Sequence, residues 1–119
     1  MICLLVDPHR QTIETIDFTR GVPDPSHPAT AQAQALLGSR YVDSQMMPDG
    51  DLVAFHLDDL LTPEPTGAMI DGCLTFGYAL ITPGNPARPL RTDADALLER
   101  IQWIADIAQA TAAVKHLHF

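Results

Sequence analysis

The residues best suited to chemistry are His56-Leu57-Asp58-Asp59, which place an imidazole beside two carboxylates. In a strand His56 and Asp58 share a face, where they could ligate a divalent metal or exchange protons. A sheet-face histidine followed by a solvated strand end accounts for the same residues without chemistry, and that reading carries more weight. A small metal-dependent or acid/base enzyme using His56, Asp58 and Asp59 therefore stands as the alternative. His116-Leu117-His118, joined by His9, offers imidazoles to zinc but falls short of the four ligands of a structural site. The terminal pair is expected to fray.

Other chemistries leave less trace. There is no Gly-x-Ser-x-Gly turn, and neither Gly-x-x-x-x-Gly-Lys-Ser/Thr nor Gly-x-Gly-x-x-Gly occurs, with Lys115 the sole lysine. Cys3 and Cys73 lie inside apolar runs, where a reduced, buried thiol behaves as a small hydrophobe. No catalytic residue, metal or cofactor is expected from these patterns.

Charge is more informative. The 119 residues carry a formal charge of −8, and no Lys or Arg occurs between Arg40 and Arg88. That interval holds Asp43, Asp49, Asp51, Asp58, Asp59, Glu64 and Asp71. A phosphate backbone is bound by cations that displace its counterions, so direct nucleic-acid binding is not expected. A run of acids can serve solubility alone. Its contiguity points instead to a basic surface on another protein, with Asp43, Asp49, Asp51, Asp58, Asp59 and Glu64 as the partner-binding residues. A structural homo-oligomer is the second alternative.

The elements that would position these groups follow from periodicity and punctuation. Ile2 to Val6 is apolar on both faces and predicts a central strand, followed after Asp7-Pro8-His9-Arg10 by a second strand over residues 11–18. Proline-rich residues 19–28 predict a loop, and the Ala-rich stretch from Pro28 to Leu37 predicts a helix with Ser26 as N-cap and Gly38 at its end. Residues 40–47 and 52–57 read as a hairpin around Pro48-Asp49-Gly50. Residues 62–67 read as a loop, and residues 73–82 as one strand with Gly77 marking a bulge or a close contact.

Thr92, with Asp95 in capping-box position, predicts a long last helix from about Asp93. Asp95, Glu99, Gln102, Asp106 and Gln109 recur at spacings of 4, 3, 4 and 3 along one stripe of it. The flanking apolar arc exceeds what one sheet would cover, which leaves Trp103, Ile107 and Val114 for a homodimer interface. The expected fold is α+β in one domain over residues 1–119: a small, mainly antiparallel sheet of about five strands, with a short helix and a long C-terminal helix packed on it. No apolar stretch is long enough to span a membrane, and a cytoplasmic protein is expected.

The order of Ile2-Cys3-Leu4-Leu5-Val6-Asp7-Pro8, Leu36-Leu37-Gly38-Ser39-Arg40-Tyr41-Val42, Asp49-Gly50-Asp51-Leu52-Val53 and Asp71-Gly72-Cys73-Leu74 resembles a family of small uncharacterised domains carried by phages, plasmids and other mobile elements. The likeness covers roughly residues 1–105 and transfers no catalytic residue. It implies a mobile-element setting, in which small acidic proteins act by binding host proteins, inhibitors of CRISPR defence among them.

Overall fold

A computed structural model of the chain describes residues 2–19, 22–23, 28–37, 42–56, 66–85 and 87–105. Within them the protein is mostly β. A six-stranded sheet has the order β3-β2-β1-β8-β5-β4, and a three-stranded sheet has the order β7-β6-β9. The strands are β1 (Ile2–Asp7), β2 (Thr12–Thr19), β3 (Val22–Pro23), β4 (Val42–Met46), β5 (Leu52–His56), β6 (Gly67–Ile70), β7 (Cys73–Phe76), β8 (Ala79–Thr82) and β9 (Gln102–Ile104), and all their pairings are antiparallel. Two helices accompany them, α1 (Pro28–Leu37) and α2 (Ala94–Arg100).

β1 lies inside the larger sheet, paired with β2 on one side and β8 on the other, as its two-faced apolar sequence requires. Leu4, Val6, Val53, Ala79 and Ile81 meet Ala68, Ile70 and Cys73 of the smaller sheet, together with Leu97 of α2. On the opposite face Cys3, Leu5, Ile16 and Leu80 pack under Ala29 and Ala33 of α1. The result is three layers: α1, the six-stranded sheet, and the three-stranded sheet with α2.

Three expectations are corrected. The α+β fold with about five strands and a long C-terminal helix gives way to two antiparallel sheets, because α2 stops at Arg100. Ile101 is already extended at φ −70° and ψ 141°, and Gln102–Ile104 pairs with Gly67–Met69. This pairing buries Ile104 to 1% exposure and lays Trp103 against the main core. A helix over the same residues would leave β6 without its second neighbour. The rest of the expected helix, residues 106–119, lies outside the described residues.

The single strand expected over 73–82 is two strands in different sheets. Gly77, at φ 70°, breaks it, and its N–H donates to the Thr66 carbonyl at 2.7 Å. β7 pairs with β6, whereas β8 crosses to β1 and β5. β6 itself was not expected. Its turn into β7 is Asp71-Gly72, with φ of 46° and 84°, the left-handed pair that a two-residue hairpin demands. Nor does Thr92 cap the last helix: Asp93 does, accepting from the Ala96 N–H at 3.0 Å.

Both cysteines are buried, and neither is in a disulfide. Burial pushes the Cys3 thiol up to about 11 from 9.0. The unfolded chain ionises this thiol first, so its contribution to stability is intact below pH 9.0 and is lost as pH rises toward about 11. Chemical denaturation should therefore show a midpoint falling between pH 9 and 11, with a shallower fall in Cys3→Ala. Equal slopes in the two proteins would contradict this.

Candidate functional site

The turn between β4 and β5 holds the densest polar cluster among the described residues. Proline at 48 and a left-handed Gly50, at φ 94°, fold the chain back, and the Met47 N–H donates to the Asp51 carbonyl at 2.7 Å. Asp49 Oδ1 accepts the Asp51 N–H at 3.0 Å, which orders the turn from within. Gly84 then packs so closely on the turn that a Cβ at that position would collide with the Gly50 carbonyl oxygen.

Asp51 points inward and is 2% exposed. Its Oδ2 accepts the Arg91 N–H at 2.9 Å, the Thr92 N–H at 2.7 Å and the Thr92 hydroxyl at 2.7 Å. The same hydroxyl stands 2.7 Å from Asp49 Oδ2, so its one proton is shared between two carboxylates. Arg91 Nη1 donates to the Asp49 carbonyl at 3.1 Å. Three donors thus converge on one oxygen of a buried carboxylate, so its role is to hold the chain. The cluster is a tie between the hairpin and the approach to α2.

This arrangement redistributes the acids expected to meet a partner. Asp51 is removed from the surface, Asp49 is half-buried and committed to internal bonds, and Asp43 occupies the β4 position opposite Phe55. Asp58, Asp59 and Glu64 lie outside the described residues. Asp71 is engaged as well, receiving Arg100 Nε at 2.9 Å and Nη2 at 3.1 Å in a two-pronged pair that pins α2 to the β6–β7 turn. Of the residues considered for a dimer interface, Trp103 is half-buried on the chain's own core, and Ile107 and Val114 lie outside the described residues.

The alternative site, His56 with Asp58 and Asp59, is placed only at His56, which ends β5 opposite Val42. His9 sits edge-on to Tyr78, with ring centroids 5.7 Å apart, and His116 and His118 lie outside the described residues. Asp7, near His9, accepts the His9 and Arg10 N–H groups at 3.0 and 3.2 Å. Burial, and then the Asp7 charge, raise the Tyr78 phenol above its ordinary value, so it remains a hydroxyl at neutral pH. Among the described residues no group of three or more His, Cys, Asp or Glu side chains could hold a metal ion. No described helix is long and apolar enough to cross a membrane.

Sequence reasoning missed Arg91 and Thr92 as partners of the hairpin, since they lie 40 and 41 residues from Asp51. Comparison with protein-family models, with curated proteins and with solved structures finds no match.

The energetic ranking of these contacts can be tested. Asp51→Ala strands the Arg91 and Thr92 backbone donors, leaving the Thr92 hydroxyl to Asp49 alone, and should cost about 3–5 kcal/mol in denaturant unfolding. Arg100→Ala breaks a partly exposed pair and should cost under about 1 kcal/mol. Equal losses would refute the ranking.

Proposed function

We propose that the chain is a non-enzymatic binding protein that engages a positively charged surface on another protein, such as a host nucleic-acid-binding protein, and inhibits or modulates it. The setting is the mobile-element one that the family resemblance implies. The observation that supports this reading is the outward side of α2. Leu97 is buried, while Asp95, Leu98 and Glu99, spaced three and four apart, share the exposed side, with Leu98 46% exposed. Arg100 is drawn away to Asp71. The helix therefore presents two carboxylates around an accessible leucine, without its own cation among them.

This shape of patch suits a basic partner with an apolar spot. The carboxylates would govern encounter rate and salt sensitivity, and the leucine would slow dissociation. Asp49 and Asp51 have no part in it, and the acidic interval between Arg40 and Arg88 contributes through those of its acids that remain at the surface.

Affinity capture from the native host, followed by kinetics with the purified partner, tests the proposal. Asp95→Lys with Glu99→Lys should slow association about tenfold or more, and added salt should slow the wild-type protein in the same way. A partner whose association is indifferent to both changes would refute the reading.

A further inference from the structure

We infer that Arg88 and Arg91 form a receiving site for a single oxyanion, a phosphate or a carboxylate, above the Gly50 turn. The position that a Cβ of Gly50 would occupy lies 3.7 Å from Arg91 Nη1 and 3.9 Å from Arg88 Nη2. Two guanidinium groups from one loop thus converge on one point, and the missing side chain leaves that point open. Both residues are exposed.

Neither guanidinium is spent on the carboxylates beneath it. Asp51 is satisfied by two backbone N–H groups and the Thr92 hydroxyl, and Asp49 takes the Asp51 N–H and shares that hydroxyl. Arg91 gives one N–H to the Asp49 carbonyl, and the Arg88 guanidinium has no hydrogen bond or ion pair among the described residues. A guanidinium carries five N–H donors, so most of this donor capacity faces solvent. Two like charges this close repel, and an oxyanion between them turns the repulsion into attraction on both sides.

The dimensions fit one small group. The absent Cβ position lies within 4 Å of one nitrogen of each guanidinium, a little beyond hydrogen-bond length, which is the reach of one small oxyanion seated there. Gly84 packed against the Gly50 carbonyl holds the floor of the site in place. The neighbouring Asp49 carboxylate and the overall charge of −8 oppose a polyanion, which limits the ligand to one compact oxyanion. This inference is independent of the α2 surface.

The intact protein would be titrated with sodium phosphate and, separately, with sodium acetate, against sodium chloride at matched ionic strength. The readouts are the NMR signals of the Gly50 amide and of the Arg88 and Arg91 Nε–H groups. Saturable shifts of all three are expected, with binding weakened about tenfold in Arg88→Gln, a variant that leaves every bond of the turn intact. Stronger binding of phosphate would identify a phosphate ligand, and stronger binding of acetate a partner's carboxylate. Shifts no larger than those in chloride, or unaltered binding by Arg88→Gln, would overturn the inference.

Discussion

A carboxylate almost without solvent contact, Asp51, draws two consecutive backbone N–H groups and a hydroxyl onto one oxygen. The three donors come from Arg91 and Thr92, just before α2, whereas Asp51 sits in the turn of the β4–β5 hairpin at the end of the six-stranded sheet. This tie sets where α2 begins, with Asp93 as cap, and hence where Leu97 enters the core between the sheets. It also sets where Ile101 leaves the helix to form β9, the strand that completes the smaller sheet. Burying a charge is costly unless its hydrogen bonds are met, so the interaction is strongest in the geometry that supplies all three donors.

The tie also changes what acidity means in this protein. A sequence interval with seven carboxylates, Asp43, Asp49, Asp51, Asp58, Asp59, Glu64 and Asp71, and no cation looks like a negative surface when read along the chain. In space Asp51 is interior, Asp49 is partly consumed beside it, and Asp71 is neutralised by Arg100. The arginines that the interval lacks return to it from residues 88 and 91. Among the described residues, exposed carboxylates also stand on α2, at Asp95 and Glu99, outside that interval.

Local signals in the sequence were legible where chemistry and structure agree within a few residues. The apolar run of β1, the Ala-rich α1 and the Pro48-Asp49-Gly50 turn each follow from their own composition, and each stands where that composition places it. The sequence misled where a tertiary partner decided between two local options. Gln102-Trp103-Ile104 satisfies a helical stripe and a short strand equally well, and only β6 makes the strand preferable. Gly77 marks a break, but nothing nearby says that its two sides join different sheets. Asp71-Gly72 was the overlooked exception, since an Asp-Gly pair between apolar runs is a hairpin signal in its own right. Thr92 illustrates the remaining limit: its hydroxyl suits a helix cap, and a carboxylate 41 residues away claims it first.

The central claim is that the backbone of Arg91 and Thr92 is bonded to Asp51 as firmly as a strand is bonded in its sheet. Amide hydrogen exchange measures this at the two N–H groups concerned. The account predicts that both exchange as slowly as the amides of β8 and become fast in Asp51→Ala, even under conditions where that variant remains folded. Exchange at unprotected rates in the wild-type protein would contradict it.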